Sequence, residues 1–203
     1  MTRIVAGDAK GRRLVVPKGE GTRPTSERVR EAIFGALDAR GRLAGANVLD
    51  LYAGSGAMGL EAASRGAASV VLVDSARQAV DAARQNVSAL ALPRVTVVLS
   101  SVQRFLSRSE SSTRVPHRTA AKERPAASLV FADPPYELGQ LELAAVLEGL
   151  TSGGWLEPGA LIVVERSSRA IEPQWPEGMF RRAIRRYGDT AVWEAEWLPP
   201  GSR

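Results

Sequence analysis

The 203-residue chain has no cysteine and only one histidine, His117. The first absence excludes a disulfide scaffold, a thiolate zinc site, an iron–sulfur cluster and any cysteine nucleophile. The second excludes a multi-histidine metal site. No apolar run approaches the roughly 18 residues of a membrane span, and no hydrophobic signal region opens the chain. A soluble cytoplasmic protein is the expectation.

What is present suits one globular domain, with 44% hydrophobic and 24% charged residues in a chain long enough to bury a core. The net charge of +5 is unevenly spread. Residues 1–30 hold Arg3, Lys10, Arg12, Arg13, Lys18, Arg23, Arg28 and Arg30 against Asp8, Glu20 and Glu27. The other 173 residues carry 19 basic and 19 acidic side chains, so the whole excess lies at the N-terminal end. Such a cluster is the footprint of a polyanion-binding surface, or of a solvated arm.

Hydrophobic patterning divides the chain. Arg3–Gly7 and Arg13–Pro17 read as two short strands of a hairpin, which must lean on a larger body. Val29, Ile33, Phe34 and Leu37 then recur at helical spacing, with Thr25 or Ser26 as N-cap and Gly41 closing the helix. From Val48 onward, strands alternate with helices. The strands are Val48–Leu51, Val70–Val73, Val95–Leu99, Leu129–Ala132 and Leu161–Val164. Helices are expected around Met58–Arg65, Arg77–Ala89 and Leu141–Leu150. Short apolar strands with helical crossovers indicate an α/β protein with a parallel sheet covered on both faces. Phe180–Tyr187 and Ala191–Leu198, around Gly188-Asp189-Thr190, read as an antiparallel edge hairpin. Ser107–Ala127 lacks periodicity and reads as a flexible insertion. The four tryptophans read as packing residues. Arg181, Arg182, Arg185 and Arg186 either widen the basic surface or protect the sheet edge.

Two motifs carry chemistry. Asp50-Leu51-Tyr52-Ala53-Gly54-Ser55-Gly56-Ala57-Met58-Gly59 lies where the first parallel strand turns into a helix. Its glycines have G-x-G-x-x-G spacing, which permits a tight turn and a close ligand approach. Asp74, ending the next strand, is suited to ribose hydroxyls. This pair fits either NAD or S-adenosylmethionine. Asp133-Pro134-Pro135-Tyr136, after the strand Leu129–Ala132, separates the two. It resembles the catalytic tetrapeptide of methyltransferases acting on exocyclic or amide nitrogens. An aromatic amine is a poor nucleophile because its lone pair is delocalised into the ring. A carboxylate oxygen of Asp133 and the carbonyl of Pro134 can each accept an N–H. They thereby turn the lone pair toward the methyl group and stabilise developing charge. Pro135 stiffens the loop, and Tyr136 can stack on the base.

The chain is similar to the bacterial 16S ribosomal RNA guanine-N2 methyltransferases almost end to end. The resemblance is carried by Arg3-Ile4-Val5-Ala6-Gly7, Gly11-Arg12-Arg13-Leu14, Thr22–Glu31, Asp50–Glu61, Asp133–Tyr136 and Arg186–Thr190. The Arg23-Pro24-Thr25 run is more specific than the glycine motif. The resemblance implies a Rossmann-like class I S-adenosylmethionine-dependent methyltransferase fold. That fold has a mainly parallel seven-stranded sheet and an N-terminal β-hairpin extension. It implies an RNA-binding extension over residues 1–22 and a methyltransferase domain over 23–203.

It also implies S-adenosylmethionine as cofactor. Asp50, Tyr52, Gly54, Ser55, Gly56 and Gly59 would hold its methionine part, Asp74 its ribose, and Ser101 and Val102 its adenine. Here Ser101-Val102-Gln103 departs from the family's usual polar Asp or Asn. Asp133, Pro134, Pro135 and Tyr136 would be catalytic, without a metal. Lys10, Arg12, Arg13, Arg23, Thr25, Arg28 and Arg30 would contact RNA. The implied partner is 16S ribosomal RNA within the 30S subunit or an assembly intermediate, bound by a monomer. The rivals are a DNA amino-methyltransferase and a ribosome-assembly binding module without activity. The first usually needs a target-recognition domain, for which the chain has no room; intact motifs argue against the second.

Overall fold

The computed structural model describes residues 2–17, 24–107 and 125–201. Arg23, His117 and residues 108–124 of the expected insertion lie outside the described residues. Every apolar run read as a parallel strand forms one: β1 (Asn47–Leu51), β2 (Ser69–Asp74), β3 (Val95–Leu99), β4 (Ala127–Ala132) and β5 (Leu156–Ser167). β6 (Met179–Tyr187) and β7 (Thr190–Trp197) form the edge hairpin. The seven strands lie in the order β3-β2-β1-β4-β5-β7-β6, with β7 antiparallel to both neighbours. β5 runs further at both ends than its apolar run. It bulges against β4 near Ala127, and its last residues, Glu165–Ser167, pair with β7.

Five helices complete the described fold: α1 (Pro24–Asp38), α2 (Ala57–Ser64), α3 (Arg77–Leu90), α4 (Val102–Leu106) and α5 (Gln140–Ser152). α1 starts at Pro24, ahead of both expected caps, because a proline suits the first turn, where its missing N–H costs nothing. Strand side chains alternate between two cores. Leu49 and Leu51 join α4, α5 and the fully buried Trp155 on one face. Val48 and Leu72 join α1, α2 and α3 on the other. Trp155 stacks obliquely on Phe105 with centroids 4.5 Å apart, and its indole N–H donates to the Leu106 carbonyl. The tryptophans do pack: Trp193 is buried, while Trp175 and Trp197 lie against the same core.

The N-terminal segment forms the expected hairpin in short form: Ile4 N–H donates to Arg12 O at 2.9 Å and Leu14 N–H to Thr2 O at 2.8 Å, across the two arms. Its only bridge among the described residues pairs Arg3 with Arg13. Other amides of the segment pair with the helices beneath it. Val5 and Ala6 N–H donate to the carboxylate of the fully buried Glu61 at 2.7 and 3.0 Å, and Val15 N–H donates to Asn86 Oδ1. Asp8 N–H takes the Ser64 carbonyl and Ala9 N–H the Ser64 hydroxyl. The approach is so close that a Cβ on Gly7 (φ +81) would sit 1.8 Å from the Ser64 oxygen. Ile4 and Leu14 are buried in the α1–α3 core. The segment is thus a tightly docked strap.

Arg30, expected at the RNA surface, requires correction. It is only 5% exposed, and its Nη2 donates to the Arg3 carbonyl at 2.7 Å. Burial holds its pKa below the usual arginine value, against the opposing pull of Glu61 and Glu27. It fastens the strap from below.

Glu61 also accepts from Arg65 Nε at 2.8 Å, so its buried charge is shared by three donors. Glu61→Ala should destabilise the fold by about 3–5 kcal/mol, because Arg65 and two amides lose their acceptor together. Urea unfolding at an unchanged m-value is the measurement; a loss below about 1 kcal/mol counts against this role for Glu61.

Candidate functional site

In an open α/β sheet, ligands bind beyond the strand C-termini where the strand order reverses. Here that point lies between β1 and β4, and both chemical motifs stand at it.

The glycine loop between β1 and α2 is shaped by two carboxylates. Asp50 Oδ2 accepts the Gly59 N–H and Asp74 Oδ2 the Gly54 N–H, both at 2.8 Å. Asp74 Oδ1 meanwhile accepts the Ala76 N–H. Tyr52 (φ +60) and Gly56 (φ +83) take left-handed conformations, which turn the chain into α2. A Cβ at Gly59 would lie 2.3 Å from Leu72 and 3.1 Å from the Asp50 carboxylate, so glycine permits both the packing and the hydrogen bond. Asn86 of α3 donates to the Ser55 carbonyl at 3.0 Å and to Val15 O at 2.9 Å. One buried side chain therefore joins the strap to the glycine loop.

On the other side, Asp133–Tyr136 leaves β4 and is tied at both ends. Asp133 N–H reaches Leu51 O of β1 at 3.5 Å, and Arg166 Nη2 donates to Leu138 O at 2.8 Å. Pro134 is buried, while Asp133 and Pro135 are exposed and Tyr136 is 62% exposed. Beside them is a cavity of about 260 Å³, lined by Asp133, Pro134 and Tyr136, by Glu165, Arg166 and Ser167 of β5, and by Arg169 and Ala170 just beyond it. Glu165 and Arg166 escape sequence reasoning. Their one signal is two charged residues closing an apolar strand at the sheet's C-terminal edge.

Carboxyl groups dominate the electrostatics. Burial raises Asp50 from the usual 3.8 to about 7, with the charges of Asp133 and Asp74 adding to the shift and the Gly59 amide opposing it. Burial and Asp133 raise Glu165 to about 8. Burial pushes Tyr52 up to about 12, and its hydroxyl has no hydrogen-bond partner among the described residues. Those residues offer no cluster able to hold a metal ion. A crevice of this kind suits a cationic ligand with hydroxyl and amine donors.

The remaining expected positions scatter. Ser101 caps α4, accepting from Arg104 N–H at 3.3 Å. Val102 sends its side chain into the core, so only its backbone remains for a ligand. Lys10, Arg13 and Arg28 are exposed, and Arg12 is exposed while donating to the Ala89 carbonyl. Thr25 lies in the first turn of α1. The edge arginines are largely neutralised: Arg181 pairs with Glu172, Arg182 with Glu196 and Arg185 with Glu194.

Residues 2–196 match the family described as conserved hypothetical protein 95. The chain is 39% identical over 163 residues to ribosomal RNA small subunit methyltransferase D of Escherichia coli K12, covering 80% of this chain and 73% of that protein. The chain belongs to this family. A solved family-like structure, the yhhF protein of Escherichia coli, superposes with a TM-score of 0.82 at 30% identity, over 100% of this chain and 99% of that one. Magnesium protoporphyrin IX methyltransferase of Synechocystis, solved with bound S-adenosylmethionine, superposes with a TM-score of 0.63 over 88% of this chain and 86% of that one. At 14% identity that likeness concerns the fold alone: the Rossmann-like class I methyltransferase fold.

The raised Asp50 pKa has a stability consequence. Between about pH 4 and 7 the folded state holds a proton that the unfolded chain releases, so stability falls as pH rises through that window. Asp50→Asn keeps an acceptor for Gly59 but removes the charge. It should be the more stable protein at pH 8, by on the order of a few kcal/mol, with a flatter profile across that window. Thermal melts at several pH values check this, and a variant with the parent's slope contradicts it.

Proposed function

We propose that this family member transfers the methyl group of S-adenosylmethionine to the N2 amine of a guanine in 16S ribosomal RNA of the small subunit. The observation that carries the reading is the Asp133–Tyr136 loop, held beside a cavity at the same strand-order reversal as the Asp50- and Asp74-bound glycine loop. Bound S-adenosylmethionine supplies a methyl group already activated on a sulfonium. The residues present fit it: a carboxyl-rich crevice for its positive charges and Asp74 for its ribose. Asp50, Tyr52 and Gly54–Gly59 would hold the methionine part, with Ser101 and the Val102 backbone at the adenine.

Asp133 and the Pro134 carbonyl accept the two N2–H bonds, aim the nitrogen lone pair and stabilise its developing charge. Tyr136 stacks on the base, worth roughly 1–3 kcal/mol. The base must be extruded to reach the cavity, at a cost of about a few kcal/mol. In this reading residues 1–22 grip RNA and 23–203 form the methyltransferase domain. Lys10, Arg12, Arg13 and Arg28, together with Arg23 and Thr25, meet the phosphate backbone of the 30S subunit or an assembly intermediate. The protein acts in the cytoplasm as a monomer.

Labelled methyl groups should reach 30S subunits from a strain lacking the activity, and mapping should find N2-methylguanine. Transfer to duplex DNA alone overturns the reading. Asp133→Ala should lower turnover by on the order of a hundredfold or more while S-adenosylmethionine still binds; near-normal turnover contradicts the assigned role. Replacing Lys10, Arg12 and Arg13 by glutamine should weaken RNA binding and reduce its log–log salt slope by roughly one unit per lost phosphate contact. Cofactor affinity should not move, and an unchanged salt slope assigns the strap no part in RNA binding.

A further inference from the structure

The methyl-transfer chemistry leaves one carboxyl of the cavity unused. Glu165 lines the same space as Asp133, Pro134 and Tyr136. The β4–β5 register pairs Ala132 with Val164, so Asp133 and Glu165 are the next residues on neighbouring parallel strands. Their proximity is felt electrostatically, since the Asp133 charge is one cause of the raised Glu165 pKa. Among the described residues no arginine or lysine lies at ion-pair distance from Glu165. The adjacent Arg166 instead donates to Leu138 O and fastens the loop. Thr190 of β7 sets its hydroxyl 3.5 Å from Glu165 Oε1. Glu165 is therefore a half-buried acceptor, braced from β7 and side by side with Asp133.

Building on the guanine reading above, we infer that Glu165 is a specificity-determining residue that accepts the N1–H of the target base while Asp133 accepts from the neighbouring N2 amine. Guanine presents these two donors next to each other. Adenine and cytosine place an acceptor ring nitrogen beside their exocyclic amine, and a carboxylate there meets a lone pair without a proton between them. With Glu165 ionised, above about pH 8, two carboxylates on adjacent strands thus complement the donor–donor edge of guanine and oppose the donor–acceptor edge of the other amino bases. A protonated Glu165 can instead donate to a bare ring nitrogen. A site built to pair with a ring N–H rejects an analogue lacking it, because its buried acceptor is then unmatched.

The test uses the full-length protein and 30S particles whose 16S RNA carries either guanine or 2,6-diaminopurine at the mapped target. Diaminopurine keeps the N2 amine but has no N1–H. At about pH 8.5 a carboxyl raised to about 8 is mostly ionised and only accepts. The parent enzyme should then prefer guanine by roughly tenfold or more in kcat/KM. Glu165→Gln, whose amide can accept from N1–H or donate to a bare N1, should bring that ratio close to one. The ratio is measured on one preparation, so it does not depend on how much of the variant folds. An equal ratio in parent and variant overturns the inference, as does a parent that shows no preference. A parent that leaves guanine N2 unmethylated fails in the guanine arm alone, and so refutes the proposed reaction separately.

Discussion

The hydrogen bond from the Gly59 amide to the buried Asp50 carboxyl is the constraint on which the site depends. It joins the end of β1 to the start of α2 and fixes the intervening loop. Only a residue without a Cβ at position 59 lets α2 come close enough to make it. Asp74 repeats the arrangement from β2 on Gly54. Using carboxylates to shape the loop leaves negative charge at low exposure, and Asp133 and Glu165 add to it from β4 and β5. The raised Asp50 and Glu165 pKa values measure that conflict. A bound cation relieves it, so affinity for a positively charged ligand and the destabilising effect of the buried carboxyls share one cause.

The strap obeys similar logic. Its backbone is satisfied by side chains of the helices it crosses: Glu61 and Ser64 of α2 and Asn86 of α3. Those bonds, with Ile4 and Leu14 in the core, hold the short hairpin against the helices. Among its basic side chains Lys10 and Arg13 are exposed, while Arg3 pairs with Glu27 and Arg12 donates to the Ala89 carbonyl. Asn86 also holds the Ser55 carbonyl, so a load on the strap bears on the glycine loop through one residue.

The sequence makes the strand order's raw material legible because parallel strands buried on both faces leave unbroken apolar runs, and the edge hairpin is marked by Gly188-Asp189. The glycine loop and the Asp-Pro-Pro-Tyr segment are legible because their chemistry is local. What escapes depends on distant partners. Arg30 reads as one more surface cation, yet the helical phase turns it beneath Arg3. Val102 is named for its place after β3, although its side chain faces the core. The hairpin itself is legible from its alternation, but not that Glu61 and Asn86 claim several of its amides. Glu165 goes unnoticed since nothing in Val-Val-Glu-Arg-Ser states which strand lies alongside.

Ion pairing also changes the charge map that the sequence suggests. The edge arginines are matched by Glu172, Glu194 and Glu196, and Arg40 adds a further bond to Glu194 at 2.7 Å, so β6 and β7 offer little free positive potential. Exposed cations stand on the strap and the start of α1, at Lys10, Arg12, Arg13 and Arg28, and elsewhere at Arg94, Arg104, Arg169 and Arg186. The crevice, by contrast, gathers four carboxyl groups, Asp50, Asp74, Asp133 and Glu165, with Arg166 and Arg169 also lining its cavity. A phosphate backbone is attracted to exposed cations and repelled by carboxylates. Under the proposed reading the polyanion is held at the strap, and only an uncharged base, swung out from its phosphates, can enter between Asp133 and Glu165. The cationic cofactor reaches the same crevice by the opposite preference. Two ligands of opposite charge are thus sorted to adjoining places by the distribution of a few carboxylates and arginines, before any close contact distinguishes them.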